Sequence, residues 1–327
     1  VPRLLEKVYE KIVSKGTELK GIKKLIFFWA LNLGLRYEQH RANGWWYEKQ
    51  LELANKLIFS KWREALGGNV ACVVSGGAAL QPRLARVFNA AKIKVLEGYG
   101  LTETSPVIAV NCFNEENMKI GTVGPVIKNV QVKIAEDGEI FVKGPNIMLG
   151  YYNQPELTKE VIDEEGWFHT GDIGTWEDGK FLKIVDRKKE IFKTSGGKYI
   201  TPQYIENKLK EGRFIEQAMV IGENEKFAAA FIVPAFAHNK NWCAKKGIQY
   251  TTEAAMIKHP EVLRKINEDL DKANKDLAQY EKIKQIEILT REWSVEKGEM
   301  TPKLSLKRKI ILNANMDAYN RIYHKTQ

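Results

Sequence analysis

The sequence predicts a mixed fold, α/β at first and then α+β, and three observations support this class. Residues 71–110 alternate apolar strand-like runs with a helix-like segment, as in a parallel α/β sheet. Residues 111–185 hold short β-rich runs separated by Asp-Gly and Gly-Pro turns, which favours antiparallel strands in a small barrel-like subdomain. Residues 186–327 combine strand-like runs with a helical stripe, which indicates a smaller α+β domain.

The first part, residues 1–110, is expected to be the end of a large α/β domain, and it begins with helices. Apolar residues recur at helical spacing through residues 1–70, and we expect Trp45 and Trp46 of this stretch to pack in the core. The elements expected next are a strand, a helix and a strand, at residues 71–74, 82–91 and 93–96. Cys72, in the first of these apolar runs, is expected to be a core residue.

The later parts contain short strand-like runs bounded by turn residues, at 131–134, 139–142, 181–185, 217–221 and 228–233. Thr201 and Pro202 are typical of a helix N-cap and a first helical residue. An apolar stripe at helical spacing predicts a core-facing helix, with Val262, Ile266, Leu270, Ala273 and Leu277. A strand at 283–288 and a basic helical tail at 307–327 complete the expected elements.

The composition is that of an ordered, basic protein, because 44% of the residues are hydrophobic and the net charge is +10. The 51 basic residues are spread along the chain without a nucleic-acid motif, so no nucleic-acid partner is expected. The three cysteines are far apart and fit neither a disulfide framework nor a metal site. This pattern favours a reducing, cytoplasmic setting.

The longest apolar run, residues 25–33, is shorter than the ~20 residues that a membrane-spanning helix needs. We interpret it as a buried helix. The sequence leaves a peripheral membrane contact and the oligomeric state open.

The run at residues 97–104 follows an apolar strand and brings several useful groups together. Tyr99 offers a ring to stack on a base, Thr102 a hydroxyl for a phosphate, and Glu103 a carboxylate for Mg²⁺. Two glycines lie among them, Gly98 and Gly100. Such a set suits a nucleotide.

Two further runs extend this pattern. Residues 166–172 end in Asp172, whose acceptor-only carboxylate suits the two hydroxyls of a ribose. Residues 184–199 pass from a strand-like start through a charged turn to a Ser-Gly-Gly loop. Each run alone is weak evidence, but together and in this order they predict a nucleotide site.

In this order the three runs resemble the adenylate-forming superfamily of acyl-CoA synthetases, luciferases and peptide-synthetase adenylation domains. Residues 75–80 and 146–152 are most similar to the long-chain fatty acid CoA ligases, and the resemblance covers nearly the whole chain. It implies that ATP, with Mg²⁺, activates a fatty acid as an acyl-adenylate and releases pyrophosphate. CoA then takes the acyl group as a thioester and AMP leaves.

The resemblance implies a set of AMP- and ATP-binding positions, namely Gly76, Gly77, Ala78, Gly98, Tyr99, Gly100, Thr102, Asp172, Arg187, Lys189 and Lys193. Thr102 would contact the α-phosphate, Asp172 and Arg187 the ribose, and Glu103 the metal, so Thr102 and Glu103 are candidate catalytic residues. For Lys189 and Lys193 a solvent-exposed surface position is also open.

The resemblance also predicts a moving C-terminal domain. Asp186 matches the hinge about which the small domain, residues 186–327, rotates between the two half-reactions. The loop that would then approach the pantetheine arm of CoA consists of Ser195, Gly196, Gly197 and Lys198.

Two departures from the family pattern matter. The Ser/Thr/Gly-rich phosphate loop that ends in Pro-Lys-Gly is absent from the sequence, and the chain looks like the second half of a family member. We therefore expect a fragment that is inactive by itself. In addition, Ser305 stands where the family has a catalytic lysine, and we expect Lys307 to replace it, with Lys303 as the other neighbouring candidate.

Two alternative functions stay open at this point. A non-catalytic adenylate-binding protein would fit Ser305 and the missing loop. An acyl-adenylate ligase that passes its acyl group to a carrier-protein thiol would fit the same nucleotide motifs.

Overall fold

The computed structural model describes residues 2–302 and 304–324. The chain divides into two compact units, Val1–Ile184 and Val185–Gln327. The helices are α1 Pro2–Glu18, α2 Gly21–Leu35, α3 Gly44–Ala54, α4 Ser60–Ala65, α5 Pro82–Ala90, α6 Pro155–Val161, α7 Pro202–Leu209, α8 Phe236–Lys246, α9 Glu253–Ile257, α10 Pro260–Lys275, α11 Arg308–Ala314 and α12 Met316–Tyr323. Within the described ranges, no helix combines the length and apolarity needed to cross a membrane.

The strands are β1 Val73–Ser75, β2 Val95–Gly100, β3 Val107–Val110, β4 Gln131–Ile134, β5 Glu139–Lys143, β6 Phe168–Glu177, β7 Phe181–Arg187, β8 Phe192–Lys193, β9 Tyr199–Ile200, β10 Ile215–Ile221, β11 Ala229–Pro234 and β12 Gln285–Ile288. The mixed α/β class expected from the sequence is confirmed. The longest strand, β6, was not expected, because its His-Thr-Gly-Asp run reads as a turn rather than as alternating apolar and polar residues.

The helical start of the first unit packs α2 against α3 and α5, around a core that includes Leu31, Phe59 and Phe88. A π-helical turn at Asn55–Phe59 joins α3 to α4. The expectation that Trp45 and Trp46 pack in this core is wrong, since their side chains are 70% and 67% exposed.

The side of α3 on which each side chain lies explains this error. Tyr47 and Leu51, one turn apart on α3, face inward, and the Tyr47 hydroxyl donates to the Leu33 carbonyl at 2.7 Å. Trp45 and Trp46 therefore lie on the opposite side of α3.

The first sheet has the order β1-β2-β3, with β1 parallel and β3 antiparallel to β2. Because β1 is an edge strand, its surroundings are only partly covered, and Val74 is 61% exposed. The prediction that Cys72 is a core residue is wrong for the same reason, since it is only partly buried.

The second sheet has the order β4-β5-β6-β7, and its first three strands are antiparallel. Residues 123–127 join it to the first sheet by backbone hydrogen bonds. Val123 N–H donates to the Leu182 carbonyl, and Leu182 N–H returns a bond to Gly124. On the other side, the Ile127 N–H donates to the Ile108 carbonyl of β3 at 3.0 Å. The two sheets are thereby held in one fixed relation.

The second unit is an α+β domain built on the sheet β10-β11-β12, where β10 is antiparallel and β12 parallel to β11. Helix α10 packs against α7, and the expected stripe lies in the core of this unit, with Val262 and Ile266 fully buried and Leu277 buried just beyond the end of α10. The expected first helical residue, Pro202, begins α7. The tail forms α11 and α12, and residues 325–327 lie outside the described part.

A buried carboxyl on β2 ties two loops of the first unit together. Glu97 lies opposite Ser75 of β1, is only 8% exposed, and accepts hydrogen bonds from the backbone N–H groups of Leu80 and Gly121. Burial raises the pKa of Glu97 to about 8. The carboxyl is therefore mostly neutral at pH 7.

We predict that Glu97→Gln changes how stability depends on pH. In the unfolded chain the carboxyl ionises above its ordinary pKa of 4.5, whereas in the folded chain it keeps its proton up to about pH 8. The free energy of unfolding of the parent chain therefore falls between these pH values and levels off above them. The glutamine variant lacks this loss of stability, so its free energy of unfolding should gain on the order of 4 kcal/mol relative to the parent between pH 4.5 and 8.

Urea unfolding of both chains at several pH values measures this difference. Glu116→Gln, an exposed position, is the matched control and should leave the pH dependence unchanged. A constant difference between Glu97→Gln and the parent across this range would contradict the prediction.

Candidate functional site

Tyr99 and Asp172 meet at the junction of the two sheets of the first unit. The Tyr99 hydroxyl donates to Asp172 Oδ2 at 2.7 Å, across 73 positions of sequence. Asp172 is 4% exposed, while Tyr99 is partly exposed. Two residues that sequence reasoning placed in one site are thus in direct contact.

A bulge in β6 gives Asp172 its position. The pairing of β5 with β6 shifts between Phe141↔His169 and Glu139↔Ile173, which leaves extra residues on β6. Gly171 within the bulge has φ +68°, and its N–H donates to the Glu139 carboxylate at 3.0 Å.

The Thr170 hydroxyl completes the bulge. It donates to the Ile140 carbonyl and accepts from the Asp172 N–H. Thr170, Gly171 and Asp172 are therefore each held in place by a hydrogen bond.

The glycine loop after β1 lies against β2. A Cβ atom on Gly76 would stand 3.1 Å from the Gly98 carbonyl oxygen, so the two backbones nearly touch. Gly77 has φ +79°, and it is exposed together with Ala78. The structure therefore brings Gly76 beside Gly98, one residue from Tyr99.

The turn after β2 presents Thr102 and Glu103 at the end of the strand. It demands glycine at position 100, because a Cβ there would lie 1.7 Å from the Pro106 carbonyl oxygen. The buried Thr104 hydroxyl closes the turn, accepting from Leu101 N–H and donating to the Pro106 carbonyl. Thr102 is exposed, and no hydrogen bond within this turn ties its hydroxyl down.

Residues 144–152 wrap this turn and contain a side chain that sequence reasoning missed. The Tyr151 hydroxyl donates to Glu103 Oε1 at 3.0 Å, and the Met148 N–H donates to the Glu103 carbonyl. Burial, followed by the bond to Glu103, raises the pKa of Tyr151, so it remains a donor. Tyr151 lies within residues 146–152, the run that resembles the long-chain fatty acid CoA ligases. Its place in that run was the signal by which the sequence could have identified it as a site residue.

Asn146 supports the same turn. Its amide donates to the carbonyls of Thr104 and Val107 at 3.0 and 2.9 Å. Glu97 was also missed as a site-supporting residue, although a charged residue inside the apolar run of β2 was a signal for it.

In the second unit, Asp186 is fully buried in a polar network. Its carboxylate accepts from the N–H groups of Arg187 and Gln203, the latter in the first turn of α7. Glu206 and Arg308 form a two-pronged ion pair nearby, at 2.6 and 2.9 Å. Burial first, and then the charge of Glu206, raises the pKa of Asp186 to about 6.

The predicted CoA loop forms the tip of the β8–β9 hairpin. Ser195, Gly196, Gly197 and Lys198 are all exposed there. Thr194 N–H donates to the Lys198 carbonyl, and Ser195 N–H donates to the Glu225 carbonyl at 2.9 Å, which fixes the base of the loop.

The predicted cations near the hairpin, Arg187, Lys189 and Lys193, are exposed. The Lys193 ammonium lies 4.6 Å from the ring centre of Tyr199. Lys307 is also exposed and stands immediately before α11, with its N–H bonded to the Glu299 carbonyl. Ser305 lies in a tight turn, where its N–H donates to the Thr301 hydroxyl, and Lys303 falls outside the described residues.

The first unit thus offers a partly exposed ring, a buried acceptor carboxylate, a backbone-lined glycine loop, and an exposed hydroxyl beside a carboxylate. These groups match the base, ribose and phosphate of a nucleotide. Among residues 2–302 and 304–324 there is no group of three His, Cys, Asp or Glu side chains that could hold a metal. Glu103 is a single carboxylate, which suits Mg²⁺ bound jointly with phosphate oxygens.

Comparison with known proteins agrees with these motifs. The profile of the AMP-binding enzymes matches residues 2–152, and that of the AMP-binding enzyme C-terminal domain matches residues 189–327. A long-chain-fatty-acid–CoA ligase, FadD15 of Mycobacterium bovis, is 33% identical over 99% of this chain and 54% of its own length. The peroxisomal long chain acyl-CoA synthetase 6 of Arabidopsis thaliana is 33% identical over 94% of this chain and 45% of its own length.

Among solved structures, the adenylation domain of a carboxylate reductase from Mycobacterium chelonae superposes with a TM-score of 0.69 at 20% identity. It covers 99% of this chain and 46% of that one, and at this identity it shows the fold alone. The chain spans about half the length of the curated relatives it matches. The two profiles, which together match residues 2–152 and 189–327, show that the chain belongs to the AMP-binding enzymes of the adenylate-forming superfamily.

Proposed function

We propose that this chain is the catalytic second half of an AMP-forming ligase that joins long-chain fatty acids to CoA. The contact between Tyr99 and Asp172 carries the proposal, because it places a base-stacking ring and a ribose acceptor together. The names of several relatives, long-chain-fatty-acid–CoA ligases and long chain acyl-CoA synthetases, support the acid and the thiol.

The nucleotide would lie over the carboxyl ends of β1 and β2, where ligands bind in parallel sheets. The adenine would stack on Tyr99 and pass close to the backbone at Gly76 and Gly77. The Asp172 carboxylate would accept from both ribose hydroxyls while still bonded to Tyr99. Arg187 would add a charge-assisted bond to the same sugar.

In the first half-reaction the fatty acid carboxylate attacks the α-phosphorus and pyrophosphate leaves. The substrate supplies its own nucleophile, so the protein has to position it and to neutralise the charge that develops on the α-phosphate. The exposed Thr102 hydroxyl would donate to that phosphate. Mg²⁺ would supply charge neutralisation, and Glu103, oriented by Tyr151, would hold it.

In the second half-reaction the CoA thiol attacks the acyl carbonyl, and AMP leaves. We propose that rotation about Asp186 brings the loop at residues 195–198 to the pantetheine arm. The exposed glycines at the hairpin tip would allow close backbone contact. Lys189 and Lys193, both exposed, would be near the adenylate in one of the two arrangements.

We expect Asp172→Asn to weaken binding of a non-hydrolysable acyl-adenylate by roughly tenfold to a hundredfold. Asparagine keeps the size of the side chain and an acceptor for Tyr99, but loses the charge and one of the acceptor positions for the ribose. Calorimetric titration of the chain measures the affinity. Asp163→Asn, beside His169, is the matched control and should bind like the parent.

Equal affinity of Asp172→Asn and the parent would refute the ribose role of Asp172. Binding in the parent together with no turnover in the complete protein would favour the non-catalytic alternative. A preference for a carrier-protein thiol over CoA would favour the other alternative.

We expect Lys307→Ala to slow adenylation by about a hundredfold in the complete protein, because it removes the positive charge proposed to replace the family lysine at Ser305. Exchange of pyrophosphate into ATP measures this half-reaction separately from thioester formation. Lys309→Ala, an exposed lysine two positions further on, is the control. Unchanged exchange in Lys307→Ala would rule out this lysine and direct attention to Lys303.

A further inference from the structure

The hairpin that carries the predicted CoA loop is too small to hold its own shape. Its strands β8 and β9 have two residues each, and the loop between them contains Gly196 and Gly197. A two-stranded hairpin of this size is unstable in water by itself, and glycines leave the backbone of a loop many accessible conformations. The position of the loop is therefore set by contacts with the rest of the second unit.

The turn between β10 and β11, residues 222–228, supplies these contacts. The Ser195 N–H donates to the Glu225 carbonyl at 2.9 Å. The neighbouring Asn224 N–H donates to the Lys193 carbonyl at 2.8 Å. These two bonds join the turn to the last residue of β8 and to the first residue of the CoA loop. A displacement of the turn would therefore displace the base of the loop.

Helix α12 holds the same turn through two tyrosine hydroxyls. The Tyr319 hydroxyl donates to Glu225 Oε1 in the middle of the turn at 2.5 Å. The Tyr323 hydroxyl lies within hydrogen-bonding distance of two carbonyl oxygens, at 3.3 Å from that of Ile221, just before the turn, and at 3.1 Å from that of Phe227, near its end. The turn is thus bonded to one helix at its middle and near both of its ends.

Close packing accompanies these hydrogen bonds. The ring centres of Tyr319 and Tyr323 lie 4.8 Å apart, and those of Tyr323 and Phe227 lie 5.2 Å apart. A Cβ atom on Gly222 would stand 3.0 Å from the Tyr323 hydroxyl oxygen and 2.7 Å from the Phe227 carbonyl oxygen. Glycine at position 222 therefore allows α12 to approach the backbone of the turn.

Glu225 belongs to both sets of contacts. Its side chain accepts from Tyr319 of α12, while its backbone carbonyl accepts from Ser195 of the CoA loop. A hydroxyl that donates to a carboxylate forms a charge-assisted bond, which is stronger than a bond between neutral groups. Burial, followed by the bond to Glu225, raises the pKa of Tyr319, so its hydroxyl keeps the proton that it donates.

We propose that Tyr319 is a positioning residue for thioester formation, which fixes the CoA loop through Glu225 and the turn between β10 and β11. The inference rests on the proposed ligase function and deepens it, since it assigns a role to the C-terminal helix in the second half-reaction. It predicts that the two half-reactions respond differently to a change in α12, because only the second one uses the loop at residues 195–198.

Hydrogen exchange tests the structural link without any reaction. In Tyr319→Phe, which keeps the aromatic ring, the peptide that covers residues 193–198 should exchange its amide hydrogens about tenfold faster than in the parent. The peptide of helix α10 should exchange at the parental rate, which shows that the unit stays folded. Tyr250→Phe, at an exposed position of the same unit, is the matched control. Equal exchange of residues 193–198 in Tyr319→Phe and the parent would overturn the proposal.

Kinetics of the complete protein test the role in the reaction. Tyr319→Phe should raise the KM for CoA by about tenfold and leave the exchange of pyrophosphate into ATP unchanged. Glu225→Ala should have the same effect, whereas Glu225→Gln keeps an acceptor for the hydroxyl and should stay near the parental KM. Glu223→Ala, at an exposed position of the same turn, should behave like the parent.

The outcomes separate this inference from the proposed function. Faster hydrogen exchange with an unchanged KM for CoA would refute the positioning role and leave the ligase function standing. A parallel loss of both half-reactions in Tyr319→Phe would also refute it, because that is the result of a general loss of structure. A complete parent protein that forms no thioester with CoA would refute the proposed function, and the positioning role with it, whatever hydrogen exchange shows.

Discussion

The Tyr99–Asp172 hydrogen bond depends on two sheets being held in one relation, and that relation is the constraint on which the site rests. The backbone of residues 123–127 imposes it by bonding to β3 on one side and to β7 on the other. These hydrogen bonds hold firmly because an N–H or carbonyl that is left unpaired away from water is costly. The hydrogen bond between Tyr99 and Asp172 is therefore a consequence of the backbone pairing of residues 123–127.

The second constraint is the close approach of two backbone segments, which glycine allows because it has no Cβ atom. Gly100 lies where a Cβ would collide with the Pro106 carbonyl, and Gly76 lies almost against Gly98. At Gly171 the reason is different, since its φ of +68° is needed for the bulge that directs Asp172 and no atom crowds the position. The glycines of the motifs thus serve the geometry of the backbone.

The second unit relies on a buried ionic network. Arg308 on α11 holds Glu206 on α7 with two hydrogen bonds and reaches Glu190 with a third, while Glu206 also accepts from Val220 N–H in β10. Asp186 bonds the start of α7 beside this network. Removing Arg308 would leave carboxylates buried without a counter-charge, which costs more than the pair itself contributes. The proposed hinge residue is thereby anchored to its own unit.

The sequence by itself determined the fold class and the family, because these depend on local patterns. Strand 131–134 and the stripe on α10 followed from periodicity, and the start of α7 followed from Pro202, although the side chain of Thr201 makes no capping hydrogen bond there. The tertiary structure decided which side of each element is buried. Trp45 and Trp46 are large apolar residues of the kind found in cores. Tyr47 and Leu51 occupy the inward-facing side of α3, so the two tryptophans are exposed to solvent. The roles of Tyr151 and Glu97 were likewise decided by contacts across many residues, since only the packed chain brings a hydroxyl to Glu103 and two loop N–H groups to a buried carboxyl.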